Sequence, residues 1–178
     1  MNEGINETKA RPEETPEPWL SGSLAEVPAV PRAVLHALEL ARMDLEKWCG
    51  GMTDAEMNAR PGGVAPVAFH LLHIARSLDR LLTYAEGSTL SEAQMKGLKT
   101  ELEAGAKAED VLAELRRGLA ESSQRVKAIG AGTLEEPRFV GRKKMPTTVG
   151  GLLVHCADHT QRHVGQAVTT AKIVKGSR

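Results

Sequence analysis

The chain has 178 residues, which is enough for one domain with a sizeable hydrophobic core and gives little reason to expect two. Its 23 basic residues balance its 23 acidic residues, so the composition gives no support for a nucleic acid or a membrane as a partner. No apolar run approaches the roughly 20 residues that span a bilayer. With two cysteines in no CxxC pattern, we expect a soluble protein of the reducing cytoplasm.

The first 22 residues form a polar, acidic and proline-rich segment that can bury little apolar surface. They lack the apolar region of a signal peptide. We therefore expect a flexible arm over residues 1–22, followed by one folded domain over residues 23–178. The alternative is an arm whose Trp19 and Leu20 pack on the folded domain or on a second subunit.

Four segments with helical apolar spacing follow the arm. Proline suits the start of the first two, a threonine can cap the fourth, and glycines follow the first, second and fourth. A short helix can also form in the polar stretch 91–105, whereas no segment alternates long enough to predict a strand. The predicted long helices cover about residues 31–48, 66–86, 108–129 and 149–174. Four such amphipathic helices predict an all-α protein, a four-helix bundle.

Five of the six histidines lie in two short stretches, one on the second predicted long helix and one on the fourth. In HCADHTQRH, His155, His159 and His163 recur every four residues, so neighbouring imidazoles lie one turn apart on nearly the same side. An i, i+4 histidine pair is a familiar bidentate clip for a transition metal. The other stretch, FHLLHI, holds His70 and His73 on an apolar helix, which in a bundle would face inward.

The chain contains no HExxH motif, so a third metal ligand must come from elsewhere, and the second predicted long helix offers His70 and His73. Three imidazoles leave a coordination position open, as catalytic zinc sites do. Neutral nitrogen donors suit zinc, nickel, copper or iron(II). The ordinary alternative is a set of surface or core histidines. Burying several imidazoles without partners costs free energy, however, and exposing them gives no reason for their spacing.

These residues resemble the DinB/YfiT-like superfamily. The resemblance rests on HxxxHxxxHxGQ over residues 155–166 and on the HLLHI segment, and it covers about residues 30–175. It implies a bundle of up-down-down-up type that is often dimeric. It also implies a divalent metal held by His73, His159 and His163. His70 and His155 remain candidates as alternative ligands, as residues that orient a ligand, or as catalytic groups.

Other residues near the histidines carry weaker expectations. Asp79 and Asp158 are candidate carboxylates for orienting a ligand imidazole, although exposed helix charges are the more ordinary interpretation. Cys156 points about 100° away from His155 and is expected to pack in the core rather than bind metal. Gly165 is expected to permit close helix packing.

The resemblance implies a metal-dependent enzyme, either a hydrolase or a transferase that acts with a low-molecular-weight thiol. Zinc or nickel is the expected metal, with iron as an alternative, and the expected partners are a small-molecule substrate and a second copy of the chain. No glutamate stands in the histidine motifs, so His155 or His70 would have to take up a proton, or a thiolate would need no base. Two alternatives are a non-catalytic metal-binding or stress-response protein of the same fold and, more remotely, a haem bundle with axial histidines.

Overall fold

The structure, a computed structural model, describes residues 16–103 and 105–176. This part of the chain contains six α-helices and one β-hairpin, and three short 3₁₀ turns lie in the connections. In chain order the elements are α1 Ala29–Cys49, α2 Asp54–Asn58, α3 Val67–Ala85, α4 Glu92–Thr100, α5 Ala108–Ala128, β1 Pro137–Val140, β2 Met145–Thr148 and α6 Val149–Gly176. Among these residues, none of the helices combines the length and the apolarity that crossing a bilayer requires.

The four long helices α1, α3, α5 and α6 form a four-helix bundle, and their bounds confirm the predicted helices to within a few residues. Helices α5 and α6 each pack against both α1 and α3, which places α1 and α3 at opposite corners. The predicted short helix in the polar stretch is α4. The predicted cap of the last helix is Thr148, whose Oγ1 accepts a hydrogen bond from the backbone N–H of Gly151 at 3.0 Å.

Contacts between the long helices establish their directions. The side chain of Gln161 donates to the carbonyl of Ala37, and that of Lys175 donates to the carbonyl of Trp48, so α1 and α6 run in the same direction. Helix α3 runs opposite to α6, because its later residues contact earlier positions of α6. Helix α5 runs with α3. The bundle therefore has the predicted up-down-down-up order.

The core of the bundle is aliphatic, as expected of a chain with few aromatic residues. Cys49 and Cys156 are free and fully buried within it, which confirms the expected packing role of Cys156. Burial raises the pKa of Cys49 to about 11 and that of Cys156 to about 12, so both stay protonated at neutral pH. Among the largest fully buried side chains of the described residues are Leu38, Leu45, Leu71, Ile74, Leu78, Leu82, Leu115 and Leu153.

Helix α2 and the hairpin of β1 and β2 were not predicted from the sequence. Helix α2 begins with a capping box, in which the Thr53 side chain accepts from the Glu56 backbone and the Glu56 carboxylate accepts from the Thr53 backbone. No strand was predicted from the sequence, yet β1 and β2 form an antiparallel hairpin with Val140 opposite Met145. Strands of four residues are too short to show a reliable alternation in the sequence.

The N-terminal arm lies mostly outside the described residues, which begin at residue 16. Its last part forms the 3₁₀ turn Pro18–Leu20, which packs on α1 and buries Pro18. The side chains of Trp19 and Leu20 are 61% and 60% exposed, so they do not pack into the folded domain of their own chain. The domain boundary near residue 23 stays a prediction.

Two helix glycines form a matched pair for a test of helix packing. A Cβ atom on Gly118 would lie 2.8 Å from the Cβ of Ala75, so Gly118 lets α5 approach α3 closely. A Cβ atom on Gly165 would meet nothing within 4 Å, so the expected packing role of Gly165 was wrong. We expect Gly118→Ala to lower the free energy of unfolding by about 1–3 kcal/mol, because the helices must move apart.

The matched variant Gly165→Ala is expected to raise the free energy of unfolding by about 0.5–1 kcal/mol, because alanine favours the helix and no neighbour obstructs it. Urea unfolding of both variants measures the two effects on one scale. A Gly118→Ala protein as stable as the wild type would contradict the close approach of α3 and α5.

Candidate metal centre

Three histidines from two antiparallel helices meet between α3 and α6. His73 of α3 and the pair His159 and His163 of α6 each offer one ring nitrogen, and these three atoms lie within 4.8 Å of one another. The Nε2 atoms of His73 and His159 are 3.4 Å apart, and all three side chains are partly buried. The two histidines of α6, four residues apart, therefore form one cluster with a single histidine of the facing helix α3.

The Nδ1 atom of His73 points away from the other two histidines and has a carboxylate partner. It lies 2.6 Å from Oε2 of Glu101, whose other oxygen accepts a hydrogen bond from Arg80 at 2.7 Å. A carboxylate only accepts hydrogen bonds, so the proton of a neutral His73 is on Nδ1. Its Nε2 atom then presents a lone pair toward His159.

A contact with Ser77 favours the same tautomer for His159. The Ser77 hydroxyl donates to the carbonyl of Ile74, so its oxygen is left to accept from Nδ1 of His159, 3.4 Å away. The third ring, His163, has its Nδ1 atom 3.0 Å from Nδ1 of His70. If His163 donates in this pair, its Nε2 atom carries a lone pair, as do the Nε2 atoms of His73 and His159.

This donor set fits a divalent transition metal. In a tetrahedral zinc site with Zn–N bonds of about 2.0–2.1 Å, two ligand nitrogens are about 3.3–3.4 Å apart. The Nε2 atoms of His73 and His159 are separated by 3.4 Å. Two lone pairs that face each other at this distance repel unless a proton or a cation lies near both. Neutral nitrogen donors favour zinc, nickel, copper or iron(II) over calcium or magnesium.

Burial favours the neutral form of three imidazoles at the site, those of His70, His159 and His163. It lowers the pKa of His159 to about 4 and that of His70 to about 4, and the neighbouring histidines add to both effects. The pKa of His163 is also lowered, mainly by burial. Burial alone would raise the pKa of Glu101, but hydrogen bonds from His73 and from an arginine outweigh it and bring that pKa below its ordinary value. Near neutral pH, lone pairs are thus available for a metal beside an ionised carboxylate.

The structure places the two candidate catalytic histidines on opposite sides of the three-histidine cluster. His70 is buried and contacts His163. His155 is exposed, with its ring centroid 5.3 Å from that of His159 and its Nδ1 atom 3.4 Å from Asp158. Neither supplies one of the three converging nitrogens, and their catalytic roles stay predictions.

The carboxylate that contacts a histidine of the cluster was missed by the sequence analysis. The half-buried Asp79 pairs with Arg125 and the exposed Asp158 pairs with Arg162, so both carboxylates have partners other than the three histidines of the cluster. The acidic residue in contact is Glu101, which follows α4 in a polar stretch. Nothing in the local sequence separates Glu101 from its exposed neighbours, so only the tertiary structure reveals it.

The fold and the site together define the class of this protein. It is an up-down-down-up helix bundle with a candidate metal site of three histidines between its second and fourth long helices. The family model of the DinB superfamily matches residues 37–167, and the chain belongs to this superfamily. The family expected from the histidine motifs is thereby confirmed. A comparison with curated proteins found no match.

Two solved structures are similar to this fold. One is described as a conserved protein from Enterococcus faecalis, with a TM-score of 0.68 and 23% identity over 84% of this chain and 99% of the other. The second is YfiT from Bacillus subtilis, described as a probable metal-dependent hydrolase with an unusual four-helix bundle topology. It has a TM-score of 0.61 and 17% identity over 82% of this chain and 87% of its own. At these identities the similarity establishes the fold alone.

Proposed function

We propose that this chain is a divalent-metal-dependent enzyme, a hydrolase or a transferase that uses a low-molecular-weight thiol. The observation that carries the proposal is the convergence of ring nitrogens from His73, His159 and His163, with each Nδ1 atom turned outward to a partner of its own. Three protein ligands leave at least one position open, which is typical of catalytic rather than structural zinc sites. The description of YfiT as a probable metal-dependent hydrolase supports the same class of chemistry.

The proposed metal, with zinc or nickel favoured and iron as an alternative, would be held by these three histidines. When bound, such a metal supplies Lewis acidity, which activates water, a thiol or a substrate oxygen near neutral pH. The remaining roles belong to the chain itself. His70 contacts His163 and orients that ring. His155 is exposed beside His159 and is therefore the better placed of the two to accept a proton from a substrate.

The proposal also includes a small-molecule substrate, with a thiol among the candidates, and a homodimeric assembly in the cytoplasm. Neither charge nor fold favours a nucleic acid, since the formal net charge is zero.

One observation favours the alternative of a non-catalytic metal-binding or stress-response protein. Among the residues that the structure describes, the carboxylate in contact with the three-histidine cluster is Glu101, and both of its oxygens are occupied by other side chains. A general base of the glutamate type is thus lacking in this described part of the site. Catalysis would depend on His155 or on a substrate thiolate.

A substrate panel tests the choice between these two functions. We expect zinc- or nickel-loaded protein to hydrolyse small esters and amides or to transfer electrophiles to small thiols, and the metal-free protein to be inactive. His155→Gln is expected to lower kcat about 10²–10⁴-fold for hydrolysis and to leave thiol transfer less affected, since a thiolate needs no base. Loaded protein that stays inactive across the panel would favour the non-catalytic alternative.

A further inference from the structure

The residue directly after α4 has an inverted pattern of burial. Glu101 is only 4% exposed, whereas its neighbour Leu102 is 55% exposed and Leu98 on α4 is 47% exposed. A connection that served packing alone would bury its leucines and expose its glutamate. Since α4 contributes no fully buried residue, the buried carboxylate is not carried inward by an apolar helix face.

The buried carboxylate has two charge-bearing or polar partners, one on each oxygen. Oε2 accepts from Nδ1 of His73 at 2.6 Å, and Oε1 accepts from the guanidinium of Arg80 at 2.7 Å. Arg80 is itself 8% exposed, so this ion pair lies largely out of water. Rotation of the Glu101 carboxylate would break at least one strong hydrogen bond, so Arg80 determines its orientation.

We propose that Glu101 is a positioning residue of the metal centre, which holds His73 in the orientation and tautomer that direct Nε2 toward His159 and His163. The proposal rests on the proposed function, because it concerns the metal that His73 would bind. A carboxylate behind a metal-ligating imidazole keeps the proton on the far nitrogen and makes the ligand more basic. The segment after α4, outside the four long helices, is thereby part of the centre.

The geometry sets the role of Glu101 apart from that of an ordinary buried ion pair. Replacing a buried ion pair by apolar residues often costs little stability. The contact between Arg80 and Glu101 therefore gives the fold no clear gain in stability by itself. The second oxygen of Glu101 is directed to a histidine of the cluster rather than to the backbone of α3. This arrangement links the guanidinium of Arg80, through one carboxylate, to the ring of His73.

The first experiment compares zinc affinity in Glu101→Gln and in the matched control Glu103→Gln. The neutral amide fills the same space, but if its oxygen stays on Arg80 its NH₂ group faces Nδ1 of His73 and favours the wrong tautomer. Competition with a chromogenic chelator is expected to show affinity about 10–100-fold below wild type for Glu101→Gln. Glu103 is exposed on the same segment, and its variant is expected to stay within about twofold of wild type.

The second experiment reads the tautomer of His73 directly in the zinc-loaded wild-type chain. Long-range proton–nitrogen NMR spectra are expected to show a protonated Nδ1 and a metal-bound Nε2. In Glu101→Gln, the Nδ1 proton is expected to exchange faster with water. If Glu101→Gln does not fold, binding of zinc through Nδ1 of His73 in the wild type would still contradict the proposal.

Two results would overturn the proposal. One is equal zinc affinity in Glu101→Gln and Glu103→Gln with unchanged circular dichroism, and the other is a His73 that binds zinc through Nδ1. If the wild-type chain binds zinc no better than His159→Ala, the proposed function fails and the role of Glu101 fails with it. Zinc binding in the wild type that is unaffected by Glu101→Gln removes the positioning role alone.

Discussion

His159→Ala is expected to lose the bound metal, while the wild-type chain binds about one transition-metal ion. The variant removes one of three converging nitrogens and leaves only those of His73 and His163. We expect the metal affinity to fall by more than the roughly 10–100-fold that is typical of losing a residue that only supports a ligand. Mass spectrometry of the purified, untagged protein measures the metal content, and chelator competition measures the affinity.

The controls for this result are two other histidine variants. His36 lies on α1, where its Nε2 atom is 3.2 Å from the Ser23 hydroxyl, so His36→Ala is expected to retain the metal. His155→Ala is expected to retain it as well, which would separate the three-histidine cluster from a ligand set that includes His155. A metal content that is equal in the wild type and in His159→Ala would refute the proposed site. Circular dichroism of each variant confirms that the comparison is made on folded protein.

Arg80→Ala is expected to lower the free energy of unfolding by about 3–5 kcal/mol, the typical cost of leaving a buried charge without its partner. The guanidinium of Arg80 is the cationic partner of Glu101, whose side chain is 3% exposed. His73 still donates to the other oxygen, so we expect the lower end of this range. Urea unfolding of the metal-free protein measures the change without a contribution from metal binding.

A double variant and a matched control separate charge burial from loss of packing. Combining Arg80→Ala with Glu101→Gln removes the unpaired charge, so the double variant is expected to be more stable than Arg80→Ala alone. The matched control is Arg76→Ala. Arg76 lies one turn before Arg80 on α3, and its removal breaks a partly buried ion pair with Glu114. Its expected cost is about 0–1 kcal/mol from the ion pair. Equal losses from Arg76→Ala and Arg80→Ala would show that burial of the Glu101 charge has little effect.

Metal binding at the three-histidine cluster and the stability of the bundle thus both depend on the buried charge of Glu101. Glu101 belongs to the connection between α3 and α5, and the ring it contacts belongs to α3. A variant of Arg80 should therefore weaken metal binding as well as folding, because it frees Glu101 to turn away from His73. The effect on metal binding is separated from the effect on folding when metal affinity is measured under conditions in which the wild type and the variant are folded to the same fraction.

The long helices and the histidine motifs could be predicted from the sequence because both depend on short-range spacing. Apolar residues recur with the helical period, and His159 and His163 lie four residues apart, so one helix alone brings them to the same side. The hairpin escaped prediction because four-residue strands carry little periodic signal, and β1 is stabilised by its pairing with β2.

The identity of the facing histidine could not be derived from the spacing of residues, which left His70 and His73 as equal candidates. The resemblance to the superfamily favoured His73, and the tertiary structure places His73 with the α6 pair and turns His70 to the far side of His163. The contact of Glu101 with the site could not be predicted from the sequence at all. A glutamate in a polar stretch is expected to be exposed to solvent. Glu101 is buried instead because its partners lie on α3, far from it in the sequence. Local periodicity specifies which face of a helix is apolar, whereas a polar contact between distant segments depends on how the helices pack.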